Sequence, residues 1–190
     1  MEKMSLVKKL ILTALCMALC VVLPMTLHAV PMAGMRFLPM HIPVFICGLI
    51  CGWKFGLFAG ITGPLLSSFL TGMPPHAIVL PMMVELAIYG STAGLIMQFV
   101  RTKRIYLDLY ISLIVAMIIG RIFAGISGAL IFTTVDSLNV WITSYFITAL
   151  PGIIIQILLI PSIVFALEAA RLIPRRYPAE QIGQIEQVQT

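Results

Sequence analysis

The sequence predicts an all-α integral membrane protein with six transmembrane helices and both termini on the cytoplasmic side. Hydrophobic residues make up 61% of its 190 residues and charged residues only 10%, and the mean hydropathy is +1.09. A soluble domain is about 45–50% apolar and about 25% charged. The apolar runs are long and continuous, which indicates membrane-spanning helices rather than short alternating strands.

The first predicted helix follows a short basic start and covers residues 10–28. A signal peptide shows the same order of basic and apolar residues, but no clean small-residue cleavage site follows, so we expect this helix to be retained. Ala14 and Ala18 lie four residues apart within it. Two small residues at this spacing let another helix approach closely.

Five further helices are predicted from apolar runs bounded by turn or basic residues: 40–53, 55–70, 76–100, 105–132 and 140–172. Residues 29–39 form a predicted loop with two prolines, a glycine and Arg36. Prolines inside helices remove a backbone hydrogen bond, so we expect bends at Pro64, Pro151 and Pro161. The sequence therefore predicts one six-helix transmembrane domain at 1–172 and a polar cytoplasmic tail at 173–190.

The formal charge of +5 is distributed along segment ends rather than along one binding stripe. Ten of the twelve basic residues fall on the side of the amino terminus: Lys3, Lys8, Lys9, Lys54, Arg101, Lys103, Arg104, Arg171, Arg175 and Arg176. Cytoplasmic loops carry such an excess of Lys and Arg. The pattern predicts that this side is cytoplasmic, and it argues against a nucleic-acid partner.

Three polar residues, Glu85, Arg121 and Gln156, lie at membrane depth. A charge near the bilayer centre costs at least about 2.5 kcal/mol, so it usually faces a partner or a cavity. Either Glu85 and Arg121 pair with each other and hold two helices together, or at least one of them faces a ligand. Tyr89 lies one turn from Glu85 and shares its helix face.

Further polar and aromatic residues are predicted to gather at the external end: Arg36, His41, His76, Asp136, Asn139, Trp141 and Tyr145. A site made of loops over a membrane cavity has this mixed composition. Each of these residues also suits an ordinary interfacial loop. The three histidines, His28, His41 and His76, have no carboxylate or cysteine patterned near them, so we expect no metal site.

The four cysteines form two pairs at i,i+4, Cys16 with Cys20 and Cys47 with Cys51. A four-thiolate metal site is one interpretation of this spacing, but small buried apolar side chains are the more ordinary one.

One motif invites an enzymatic interpretation, because residues 125–128 (GISG) match the GxSG of intramembrane serine proteases. That chemistry needs a histidine from a later helix to activate the serine. All three histidines precede Ser127, and the sequence has no HExxH motif and no phosphate-binding Gly-Lys-Ser/Thr loop. We therefore expect that the chain is not an enzyme.

A resemblance to a known family accounts for the whole layout. The six helices, the alanine pair and the stretch LPMHIPVFICGLICGWKFGLFAGITGPLLSSFLTGMPP, followed by ELAIYGSTAGL, resemble the substrate-binding S components of energy-coupling-factor vitamin transporters. The resemblance extends over about residues 10–172. It implies the S-component fold in a bacterial plasma membrane, with a vitamin pocket on the extracellular side under the loops between helices 1–2, 3–4 and 5–6.

The resemblance also implies partners and a transport mechanism. Such a subunit docks on a transmembrane coupling subunit, here through Ala14 and Ala18, and topples in the membrane to deliver its substrate. Two partner ATPase subunits use the ATP, so no cofactor is expected on this chain. Residues 29–39 would form the lid of the pocket. The pocket itself would be built by Arg36, His41, Glu85, Tyr89, Arg121, Asn139 and Tyr145.

The substrate stays open at this point, with pantothenate favoured because the central stretch is most similar to members associated with it. Its carboxylate would need a cation, which Arg36 or Arg121 would supply. Glu85 would repel an anion unless it is paired, so a hydroxymethylpyrimidine, a pyridoxine-like compound, a cobamide precursor and riboflavin remain alternatives. A structural membrane protein without a ligand is another alternative. A self-sufficient secondary transporter is less favoured because the sequence shows no inverted repeat.

Overall fold

The computed structural model describes residues 4–27, 32–131, 137–174 and 176–177. The helices in these ranges are α1 (Leu6–Thr26), α2 (Ala33–Phe37), α3 (His41–Cys51), α4 (Trp53–Thr71), α5 (His76–Phe99), α6 (Ile105–Leu130), α7 (Leu138–Ile142) and α8 (Leu150–Ala169). A π-helical segment, Thr143–Thr148, connects α7 to α8.

Five of the described segments are long and apolar enough to cross a membrane by length and composition: Leu6–Thr26, Gly34–Cys51, His76–Phe99, Ile105–Leu130 and Leu150–Ala169. The helix α4 lies outside this group, although its 19 residues extend about 28 Å. It is less apolar because small and hydroxyl residues such as Gly60, Gly63 and Ser67 form its buried face. The predicted all-helical membrane fold is confirmed in the described part of the chain, and helices lie in all six predicted segments.

Two local features differ from the sequence-based expectations. The predicted loop at 29–39 contains the short helix α2. The last predicted helix is divided into α7, the π-helical segment and α8. Pro151 explains the division, because it has no N–H to donate to the carbonyl of Ile147 and its ring would clash with that carbonyl in a regular helix.

The centre of the fold is a close crossing of α3, α4 and α5 at three glycines. A Cβ atom at Gly48 or Gly56 would overlap the carbonyl group of Gly90, and a Cβ atom at Gly90 would overlap the backbone of Gly56. Membrane helices use small residues in this way to bring their backbones together. The crossing fixes α5 against two neighbours, and α5 also packs against α6.

One end of the helix bundle collects basic residues, and we call it the basic end. Lys9 at the start of α1, Arg101 after α5 and Arg176 after α8 line one cavity there. This is the side that the charge distribution predicts to be cytoplasmic. The start of α3 lies at the opposite end.

The chain after α8 is anchored at the basic end. Nε of Arg176 donates to Oδ2 of the fully buried Asp108 at 2.7 Å, and Nη2 donates to backbone carbonyls at the end of α5. The hydroxyl of Tyr177 also donates to Asp108. The predicted polar tail at 173–190 therefore begins with packed residues, and its part at 178–190 lies outside the described residues.

Candidate functional site

A buried pair of ionisable side chains joins α3 to α5 near the opposite end. His41 is the first residue of α3 and only 2% exposed, and its Nε2 lies 3.5 Å from Oε1 of Glu85. That distance is an electrostatic contact at the outer limit of a hydrogen bond. The helix α3 begins here because Leu38 adopts a left-handed conformation that ends α2, and its carbonyl accepts from the N–H of His41.

Tyr89, one turn after Glu85 on α5, lies at the middle of this region and is 1% exposed. Its ring centroid lies 5.3 Å from that of His41 and 5.1 Å from that of Phe45, both in tilted geometry. On its other side the ring packs directly against Gly120 of α6. Tyr89 therefore connects α3, α5 and α6 through ring contacts.

Arg121 of α6 approaches the same ring and is 4% exposed. Its Cζ lies 5.9 Å from the ring centroid of Tyr89 and 5.7 Å from that of Phe146. Nε donates to the carbonyl of Tyr145 at 2.8 Å, and Nη1 donates to the carbonyl of Met117 at 3.4 Å. Arg121 is thus held by backbone carbonyls and aromatic rings, and it does not pair with Glu85.

Several buried polar atoms in the described part of the chain have no hydrogen-bond partner. They are Nδ1 and Nε2 of His41, the hydroxyl of Tyr89, and Nε2 and Oε1 of Gln156. A buried polar group left unsatisfied costs on the order of 1–3 kcal/mol, so a native fold keeps few of them without a reason. Binding of a polar ligand would supply the missing partners.

Gln156 lies on α8 and is fully buried. The helix α8 contacts α2, α3 and α6. One turn before Gln156, Gly152 packs against the backbone of Arg36 and Phe37, so that a Cβ atom at Gly152 would lie 2.7 Å from the carbonyl oxygen of Arg36. The short helix α2 therefore packs against the N-terminal end of α8.

The structure brings together four of the seven sequence-predicted pocket residues, His41, Glu85, Tyr89 and Arg121. Tyr145 is partly buried beside them and lies within electrostatic range of Glu85. Arg36 and Asn139 are exposed, on α2 and α7, and their side chains lie outside this group.

Other predicted residues of the external end have structural partners or lie outside the described residues. Trp141 donates its Nε1–H to the carbonyl of Arg121 at 3.2 Å and packs on Gly125 of α6. Nδ1 of His76 lies 3.3 Å from the hydroxyl oxygen of Ser68. His28 and Asp136 lie outside the described residues.

The four cysteines are free and buried, as the ordinary interpretation predicts. Sγ of Cys47 lies 3.5 Å from the hydroxyl oxygen of Thr13, so this thiol lies in the interface between α1 and α3. Among the residues that the structure describes, no group of three or more His, Cys, Asp or Glu side chains is arranged to hold a metal ion.

From its sequence context, Gln156 was predicted to lie at membrane depth but not among the pocket residues. The aromatic partners Phe45 and Phe146 were not identified either. The signal for Gln156 was an isolated amide within the apolar run IIIQILLI, where an unpartnered amide is costly. Phe45 and Phe146 gave no such signal, because an aromatic residue in an apolar run is ordinary.

A family model described as "ECF transporter, substrate-specific component" matches residues 8–164. The chain belongs to this family. The comparison with curated proteins found no match, and the comparison with solved structures found none. As an ECF substrate-specific component, the chain is a transporter subunit of a multi-pass membrane protein class and not an enzyme.

Because the chain is an ECF substrate-specific component, the buried polar residues around Tyr89 are a candidate ligand site. Ligand sites are mostly apolar and contain a few placed polar groups. The region around Tyr89 has this composition, with aromatic rings, one carboxylate and one guanidinium. We refer to His41, Glu85, Tyr89 and Arg121 as the buried polar cluster, and Gln156 of α8 is a further buried amide without a hydrogen-bond partner.

Proposed function

We propose that this ECF substrate-specific component binds a B-group vitamin or a vitamin precursor in the buried polar cluster, and that pantothenate is its substrate. The main support is that polar atoms of His41 and Tyr89 are buried without hydrogen-bond partners, and the amide of Gln156 on α8 is unpartnered as well. These atoms offer hydrogen bonds to a small polar molecule at membrane depth. The sequence resemblance to pantothenate-associated members provides the choice of substrate.

The chemistry of pantothenate suits the groups present. Arg121 uses Nε and Nη1 on carbonyls, so Nη2 remains to receive a carboxylate. The amide of Gln156 is complementary to the amide of pantothenate, since each offers a donor and an acceptor. Glu85, His41 and Tyr89 together offer acceptors and donors for the two hydroxyl groups of the ligand.

A nitrogen heterocycle is the second candidate, because the carboxylate of Glu85 would attract a protonated ring. A hydroxymethylpyrimidine and a pyridoxine-like compound belong to this class. A cobamide precursor and riboflavin are larger alternatives for the same site. The negative charge of Glu85 distinguishes these substrate classes, since it favours binding of a cation and opposes binding of an anion such as pantothenate.

Delivery of the substrate is proposed to follow docking on the membrane coupling subunit and toppling within a bacterial plasma membrane, with the ATP used by partner ATPase subunits. Ala14 and Ala18 are exposed on α1 in the isolated chain, so their face is accessible to a partner helix. The exposed residues around them, Ile11 and Leu15 among them, are apolar. Such a face fits a partner within the bilayer.

Thermal unfolding of the detergent-purified chain with a panel of vitamins and precursors tests the proposal. A ligand present at about 100 times its Kd stabilises the folded state by about 2.7 kcal/mol. We expect pantothenate to raise the unfolding temperature and the other compounds to leave it unchanged. A shift with a heterocycle alone would reassign the substrate, and no shift with any compound would contradict a vitamin site in this chain.

A further inference from the structure

A second site is suggested by the cavity at the basic end, which is lined by the end of α3, whereas His41 of the buried polar cluster lies at the start of α3. The cavity has a volume of about 170 Å³. The start of α1, the ends of α3 and α5, and the segment after α8 form its walls, and its basic lining residues are Lys9, Arg101 and Arg176. Sites for drug-sized ligands measure about 300–1,000 Å³, so this cavity suits a small group.

The charges in the cavity are not balanced within the described residues. Arg176 is engaged by Asp108 and by the carbonyls at the end of α5, so it neutralises both the carboxylate and the negative end of that helix. No described carboxylate lies within 4.0 Å of the amine of Lys9 or the guanidinium of Arg101. Two positive charges at this cavity therefore have no carboxylate partner among the described residues.

The surroundings of these two charges indicate what kind of anion they bind. Lys9 is partly buried, with its Nζ 5.8 Å from the ring centroid of Phe55, and Arg101 is exposed. Leu49 and Ile50 add apolar surface to the same cavity. A group that combines a phosphate with an apolar stem would match both features. Basic pockets between membrane helices on the cytoplasmic side bind lipid head groups in this way.

We propose that this cavity is a phosphate-binding site that holds the head group of an anionic phospholipid of the cytoplasmic leaflet. The phosphate lies between Lys9 and Arg101, and the glycerol end of the lipid lies against Leu49 and Ile50. The site is independent of the vitamin site, because the two share no residue. Lipid binding there holds the start of α1 against the end of α5.

The test uses the full chain in uncharged detergent and measures thermal unfolding during titration with phosphatidylglycerol, phosphatidylcholine or inorganic phosphate. We expect stabilisation by phosphatidylglycerol only. The double variant Lys9→Gln/Arg101→Gln should need at least about tenfold more phosphatidylglycerol for half of the effect. The control Lys8→Gln/Lys103→Gln removes the same charge from the same two segments outside the cavity, and it should stay within about threefold of the unmodified chain.

Native mass spectrometry of the same samples counts the bound lipid independently of stability. We expect one tightly held phosphatidylglycerol on the unmodified chain and on the control, and none on the Lys9→Gln/Arg101→Gln variant. Equal losses in the two double variants would overturn the site in favour of diffuse surface attraction. Stabilisation by inorganic phosphate equal to that by the lipid would overturn the lipid assignment.

Discussion

The ring of Tyr89 packs against Gly120 so closely that a Cβ atom at Gly120 would overlap it. This contact brings α5 and α6 together at the buried polar cluster. It also fixes the direction of the Tyr89 hydroxyl, which has no hydrogen-bond partner in the buried interior. The glycine thus holds the ring of Tyr89, with its unpartnered hydroxyl, in the buried polar cluster.

Gly120→Ala should move the ring of Tyr89 and weaken ligand binding. Adding a methyl group to a well-packed core costs about 1–3 kcal/mol. We expect a lower unfolding temperature and at least about tenfold weaker affinity for the substrate, because the hydroxyl of Tyr89 is displaced. Ile122→Val, which also changes one methyl group but on the exposed face of the same helix, is the control. Equal behaviour of the two variants would contradict the proposed role of the Tyr89–Gly120 contact.

Gln156→Leu should stabilise the ligand-free chain and impair binding. The leucine side chain has a similar size and removes two buried polar atoms that have no partner. We expect the free energy of unfolding to rise by about 1 kcal/mol, and the substrate affinity to fall by about tenfold or more. Thermal unfolding and equilibrium binding measure the two effects.

Gln98→Leu, at an exposed position near the end of α5 beside the basic-end cavity, serves as the control for this change and is measured without added lipid. It should alter neither stability nor affinity appreciably. Loss of stability in Gln156→Leu without loss of affinity would mean that the Gln156 amide serves packing rather than substrate.

Glu85→Gln separates the two substrate classes, because it removes the charge and keeps the shape. If the substrate is pantothenate, the affinity should stay within about threefold or improve, since a negative charge near the ligand is lost. If the substrate is a protonated heterocycle, the affinity should fall by at least about tenfold, as for the loss of a hydrogen bond to a charged group. Competition binding with one compound of each class measures the difference.

Ala14→Trp and Ala18→Trp should leave substrate binding intact and block uptake. Both positions are exposed on α1, so a large side chain has room in the isolated chain but prevents close approach of a partner helix. Uptake by cells that express the complete transporter and binding by the purified chain measure the two functions. Ile118→Trp, on the exposed face of α6, is the control and should support uptake. Normal uptake in both alanine variants would contradict the docking proposal.

The helix layout was predictable from the sequence because it depends on hydrophobic runs and on charges at their ends. The predicted ranges of α1, α5 and α6 each agree with the observed helix bounds to within a few residues. The gathering of Lys9, Arg101 and Arg176 at one end also follows from local composition.

The candidate site was predictable only in part, because its geometry depends on contacts between distant segments. Glu85 and Tyr89 share a helix face, so their proximity follows from periodicity. The pairing of Glu85 with His41 rather than Arg121 does not, because it depends on how α3 crosses α5 at the glycine contact. The anchoring of Arg176 on Asp108 is equally non-local, and the sequence gives no cue for it.

Equilibrium binding of labelled pantothenate to the purified chain and to its Arg121→Gln variant tests whether the buried polar cluster binds the substrate. The purified chain should bind one equivalent saturably. The variant should lose at least about 30-fold in affinity, corresponding to about 2 kcal/mol for a charge-assisted hydrogen bond, while it still unfolds cooperatively. Unchanged pantothenate affinity in a folded Arg121→Gln variant would show that Arg121 does not bind the substrate carboxylate and would contradict a substrate site in the buried polar cluster.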